Sequence, residues 1–167
     1  MTAINVRSAL AGDLPALRRI FRRASLSNAG DRDVLLAHPD ALEWPDSGVA
    51  DGRTRVAITA DGTVVGFIAG LSTDGSVLEV VDLFVDPDWM RKGVARRLMG
   101  DLVQTAGLAG VARIEVTANP HADGFYRSAG FAVFDECETR FGPAARMQLL
   151  LSAPAAAASP HTADRHD

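Results

Sequence analysis

Between Val77 and Val116 the chain changes hydrophobic period twice, from alternating to helical and back, and this passage limits the fold more than any other feature. The run from Val77 to Val85 is apolar enough for a buried strand and is closed by Asp86-Pro87. Downstream of Gly93, the residues Val94, Leu98, Leu102, Val103 and Ala106 recur at helical spacing, with stops at Gly107 and Gly110. Residues 111–116 then read as a strand again. A connection of this length carries a helix and returns the chain parallel to the strand it left. Upstream the connections are short: residues 55–59 and 63–68 flank Asp61-Gly62, a hairpin signal, and Asp74-Gly75 turns into the Val77 strand. The sheet therefore mixes an antiparallel meander with one parallel crossover.

The remaining elements follow from the same patterns. Ile4-Asn5-Val6-Arg7 suits a short strand, and Asp13 offers an N-cap for a helix with Leu14, Leu17, Phe21 and Ala24 inward and four arginines largely outward. Residues 25–31 read as a loop, and residues 33–44 as an irregular helical stretch broken at Pro39. Asn119-Pro120 opens a short helix through Phe125, Tyr126 and Ala129, stopped by Gly130, and β-like runs follow at 131–138 and 146–151. The expectation is one α/β (α+β) domain over residues 1–152, its mixed, mostly antiparallel twisted sheet holding about seven strands with about four helices. Residues 153–167 read as a low-complexity tail.

Composition removes several classes of function. A formal charge of −4 argues against nucleic-acid binding. The apolar run at 64–71 is far short of the ~20 residues of a spanning helix, and the first residues lack the order of a secretory signal. A single cysteine, Cys137, forms no intramolecular disulfide and no thiolate metal cluster, so the cytoplasm is the expected compartment. His121 has no second ligand at metal spacing.

The chemistry concentrates at Met90-Arg91-Lys92-Gly93-Val94-Ala95, where a strand end turns into a helix. A helix N-terminus presents unpaired N–H groups and about half a positive charge, so phosphates settle there. Gly93 and Ala95 let an anion approach the backbone, and Arg91, Lys92, Arg96 and Arg97 add cations, two of them in a first turn where they oppose the helix dipole.

The turn resembles the phosphate loop of the GNAT superfamily of N-acyltransferases, Gln/Arg-x-x-Gly-x-Gly/Ala, with Met90 in place of the usual first residue. About twenty-five residues on, Asn119, Ala122, Phe125-Tyr126 and Ala129-Gly130-Phe131 resemble that family's second motif. The resemblance implies acetyl-coenzyme A as co-substrate, no metal, and a primary amine of a small molecule or peptide as acceptor, attacked directly in a ternary complex. It implies that Leu83, Phe84 and Val85 splay from the neighbouring strand and pair with the pantetheine arm. It assigns the pyrophosphate to the turn at Arg91, Lys92, Gly93, Val94, Ala95 and Arg96, and the coenzyme arm or a strand-end carbonyl to Asn119, which also suits a plain helix N-cap. Tyr126 matches the general acid that protonates the leaving sulfur, and a phenol suits the task because its pKa lies near that of a thiol. Glu79 stands where some members carry a catalytic base, with Asp82 and water as the other options. Strict alternation places Glu79 with Val81 and Leu83 on one face and Asp82 with Val80 and Phe84 on the other, an inference that a bulge would undo. Glu43 and Trp44 offer an acidic and aromatic wall for a cationic amine, or a plain surface pair at a helix end. A late strand edge offers a route to a homodimer. A non-catalytic acyl-coenzyme A binding domain of the same fold is the alternative.

Overall fold

A computed structural model describes residues 2–45 and 47–151; the tail expected at 153–167 lies outside the described residues. Seven strands, β1 (Asn5–Ser8), β2 (Thr54–Ile58), β3 (Val64–Ser72), β4 (Val77–Val85), β5 (Arg113–Ala118), β6 (Ala132–Thr139) and β7 (Gly142–Leu150), form one sheet in the order β1-β2-β3-β4-β5-β7-β6. Every neighbouring pair is antiparallel except β4–β5, the crossover predicted from the change of period. Five α-helices accompany the sheet: α1 (Leu14–Ser25), α2 (Ala29–Leu36), α3 (Ser47–Ala50), α4 (Val94–Leu108) and α5 (Asp123–Ser128).

The fifth helix is α3, a single turn, while α2 begins at Ala29, inside the stretch read as a loop, and ends at Leu36 before a separate 3-10 turn at Pro39–Leu42. Gly30 and two aspartates in the first turns of α2 leave it little helical pattern to read. Asp13 caps one turn earlier than expected: its carboxylate accepts the Leu10 N–H at 2.8 Å and pairs with Arg7 at 2.7 Å, organising the 3-10 turn at Ala11–Asp13 that leads into α1.

Each face of the sheet has its own core. On one, α4 lays Val94, Leu98, Met99 and Leu102 over Ile68, Val80, Val85 and Ile114, with Tyr126 and Phe131 completing the cluster. On the other, Leu17 and Ile20 of α1 meet Val56, Phe67 and Trp44. Gly66 lets α4 approach, since a Cβ there would stand 3.0 Å from both the Phe84 carbonyl and Val94 Cγ1.

Strand β4 is not regular. Its register against β3 slips between Ala69, opposite Asp82, and Gly70, opposite Val80, so Val81 is an extra, exposed residue. This bulge corrects the expectation from alternation. Leu78, Val80, Leu83 and Val85 turn to the α4 face, while Glu79, Asp82 and Phe84 share the other, where Trp44 bonds Asp82 and Phe67 packs on Phe84. Both carboxylates therefore lie on one face.

Candidate active site

The parallel ladder between β4 and β5 covers only Val77–Val80 against Arg113–Val116. Beyond it β4 stays paired with β3 and β5 with β7, so the two strands part. Backbone groups of Leu83 to Val85 that point away from β3 consequently have no strand partner there, and such groups need one. A groove of ≈ 980 Å³ occupies the opening, with Leu83, Phe84 and Val85 along one wall and Thr117 and Asn119 along the other.

The turn into α4 forms one end of this lining. Arg91 and Gly93 both adopt positive φ, 62° and 82°, which turns the chain sharply before Val94. Asp86 anchors the entry: it accepts the Asp88 N–H at 2.9 Å and pairs with Arg23 of α1 at 2.7 Å. No side chain caps the N-terminus of α4, and a Cβ added at Gly93 would meet nothing within 4 Å. Uncapped N–H groups, open space and the side chains of Arg91 and Arg96 fit a bound anion such as a pyrophosphate. Gly93, Val94 and Ala95 line the groove beside them, whereas Lys92 does not and lies over the Trp89 ring, 5.0 Å from its centroid.

Asn119 accepts the Ala122 N–H through Oδ1 at 2.9 Å, so it caps the turn before α5. Tyr126 on α5 lines the groove but is only 5% exposed, packed edge-on between Phe125 and Phe131. Burial, reinforced by the negative charge of Glu79, pushes its phenol up to about 12. The gap to a thiol near 8.5 is thus wider than the sequence implied.

Glu79 is not a free carboxylate. Arg146 of β7 holds both its oxygens at 2.5 and 3.0 Å and also donates to Glu115 at 2.8 Å and to Thr117 Oγ1 at 2.8 Å. The cluster stands at the last rungs before the strands part. Asp82 accepts the Trp44 indole N–H at 3.2 Å, and burial raises its pKa against the lowering effects of that bond and of Arg53. Trp44 is buried against Phe67, so the aromatic wall suggested for Glu43 and Trp44 does not form; Glu43 alone is exposed.

The rest of the groove is built by segments whose sequence gave no sign of it. Asp31, Val34 and Leu35 of α2 line it, facing Phe141 and Pro143 from the β6–β7 hairpin and His121 from the loop after β5. His121 Nε2 meets Asp31 Oδ2 at 3.0 Å, Arg140 pairs with Asp40 at 2.7 Å, and His38 packs edge-on against Phe141 with ring centroids 6.0 Å apart. Among the described residues, no three His, Cys, Asp or Glu side chains gather as a metal site.

Residues 45–151 match the sequence profile described as the acetyltransferase (GNAT) domain. Streptothricin acetyltransferase of Streptomyces lavendulae is 33% identical over 152 residues, an alignment spanning 75% of this chain and 80% of that protein. The chloroplastic serotonin N-acetyltransferase 2 of Oryza sativa subsp. japonica is 31% identical over 130 residues, spanning 76% and 60% of the two chains. Among solved structures, the Salmonella typhimurium protein YncA with its cofactor acetyl-CoA superposes with a TM-score of 0.66 at 26% identity, over 92% of this chain and 97% of that one.

Proposed function

The chain belongs to the GNAT family of acetyltransferases, and from that premise we propose that it transfers an acetyl group from acetyl-CoA to a primary amine of a small molecule or peptide by direct attack in a ternary complex. The observation that carries this reading is the parting of β4 and β5, which leaves one groove shared by Leu83–Val85, the uncapped start of α4 and Tyr126.

In this reading the N–H groups of Gly93, Val94 and Ala95 hold the pyrophosphate, with Arg91 and Arg96 as counter-charges and Lys92 reaching out from Trp89 to join them. The N–H and C=O groups that the Leu83–Val85 segment turns away from β3 pair with the amides of the pantetheine arm as an added strand would. Asn119, its oxygen committed to Ala122, has its side-chain NH₂ for the same arm. These contacts hold the thioester near the strand ends, where nearness to the amine supplies much of the rate.

Reaction requires the amine nitrogen to lose a proton, form the N–C bond and release sulfur from the carbonyl carbon. Glu79 takes the proton from the ammonium through water: Arg146 occupies one side of each oxygen, and a carboxylate has further lone pairs. Tyr126 faces the departing sulfur. With its phenol held near 12, full transfer to a thiolate near 8.5 is uphill by roughly 5 kcal/mol. Tyr126 therefore stabilises the sulfur by a hydrogen bond while the proton from the amine completes the thiol by way of solvent.

The proposed compartment is the cytoplasm, on the strength of a single cysteine that is free in the fold; no helix among the described residues is long and apolar enough to cross a membrane. Residues 1–152 are the proposed acetyltransferase domain, and the outer edge of β6, with Val133 and Phe134 exposed, is the edge we assign to a homodimer. The test is thiol release from acetyl-CoA in the presence of an amine panel. Release that depends on both partners, and that falls with Tyr126→Phe, supports the reading; acetyl-CoA binding without turnover of any amine sinks it.

A further inference from the structure

We propose that Asp31 and Phe141 select the acceptor, and that the acceptor is a cationic primary amine carrying an aromatic or branched apolar group on a short alkyl link. The proposal rests on the acetyl-transfer reading and deepens it.

Charge comes first. Among the described residues that line the groove, Asp31 is the sole carboxylate, and the arginines Arg91 and Arg96 belong to the turn into α4. Asp31 is half-exposed, and its partner is one imidazole nitrogen of His121, itself 45% exposed. An alkylammonium is a full charge with three donors and replaces an exposed imidazole at no loss to the carboxylate. At the vertex the carboxylates of Glu79 and Glu115 are matched by the guanidiniums of Arg146 and Arg113, so that cluster adds no net charge and the selection by charge falls to Asp31. An acceptor with its own carboxylate meets repulsion from Asp31.

Apolar surface comes second. Val34 and Leu35 lie three and four residues beyond Asp31, so all three share one face of α2, and all three line the groove. Phe141 faces the same space from the hairpin and is 49% exposed, although a ring of this size is ordinarily buried. It is fixed there from outside: Arg140 grips Asp40 through two hydrogen bonds of 2.7 and 3.1 Å and stacks over the Phe141 ring at 5.2 Å, and His38 supports the ring edge-on. A side chain braced in an exposed position beside exposed Val34 presents an apolar wall to whatever enters, and an aromatic or branched amine covers it.

The experiment measures thiol release with acetyl-CoA saturating and 2-phenylethylamine, ethylamine or L-glutamate as acceptor, for the native chain, Asp31→Asn and Phe141→Ala. The native protein should favour 2-phenylethylamine over L-glutamate by at least 100-fold in kcat/KM. Asp31→Asn, which keeps a hydrogen bond to His121, should raise the KM for both amines at least tenfold, with the loss falling on KM rather than kcat. Phe141→Ala should raise KM tenfold for 2-phenylethylamine and less than twofold for ethylamine. A preference for L-glutamate, or unchanged ratios in both variants, overturns the proposal, as does a native protein that acetylates other amines but neither of these two. Absence of acetyl-CoA binding in calorimetry is a different failure, that of the acetyl-transfer reading itself.

Discussion

Tyr126 owes its raised pKa first to burial and then to the charge of Glu79, and both causes persist as long as the sheet is folded. The neutral phenol is therefore kept through the alkaline range, and the rate should rise with pH as the amine loses its proton, with no descending limb until near 12. A fall in rate centred near 10 would mean an exposed phenol. The sign for stability follows from the same shift: unfolded Tyr126 ionises near 10 and folded Tyr126 near 12, so its contribution is complete below 10 and lost as pH rises to 12. Tyr126→Phe should remove that alkaline loss and lower kcat by about 10²–10³-fold, the loss of one hydrogen bond to the developing thiolate, while leaving the Kd for acetyl-CoA unchanged, as read by thiol release and calorimetry. Glu79→Gln breaks a two-oxygen grip on a half-buried guanidinium that Glu115 still holds, and should cost about 1–2 kcal/mol in urea unfolding besides slowing turnover. The residues of the turn and of Tyr126 were legible because their signals are local, a glycine before a helix and a tyrosine seven residues after Asn119. Asp31 and His121, ninety residues apart, carry no such signal. Their meeting is made by tertiary structure alone, and so is the grip of Arg146 on Glu79.

At the scale of elements, the crossover from β4 through α4 to β5 was readable from hydrophobic period, and so was the β2–β3 hairpin. The bulge at Val81 was not. Period-two reasoning assumes an unbroken ladder, and the extra residue transfers Glu79 to the face of Asp82 while every residue type in the strand stays the same. Deleting Val81 removes the extra residue and leaves Glu79 and Asp82 two apart on the same face, so the grip of Arg146 on Glu79 should survive while the local bend of β4 is lost; the expected outcome is a cooperative melt with weaker acetyl-CoA binding in calorimetry. The helix α4 depends on a different element feature, the missing side chain at Gly66. Gly66→Ala sets a methyl 3.0 Å from the Phe84 carbonyl and Val94 Cγ1 and 3.3 Å from Leu98 Cδ1, so the first turn of α4 must lift from the sheet. The expected outcome is a loss of about 1–3 kcal/mol in denaturant unfolding, together with weaker acetyl-CoA binding because that same turn carries Gly93 and Val94. Helix α2 escaped notice because its contribution is a wall and not a core: it buries no residue fully, so its sequence has no inward stripe to read.

For the whole molecule, two cores hold the two faces of one sheet, and the sheet is left unzipped where they meet the groove. Such a site is completed by its ligand, so acetyl-CoA at about 100 times its Kd should stabilise the fold by about 2.7 kcal/mol and raise the melting temperature. Because Arg91 and Arg96 face the phosphates in this account, the gain should shrink at high salt. The most direct check is calorimetric titration of acetyl-CoA into the native chain and into Gly93→Asp, whose carboxylate would stand in the anion site at a position open to 4 Å. The account predicts one site per chain in the native protein and no binding in a variant that still melts cooperatively. Equal binding by both proteins, or none by the native one, would contradict it.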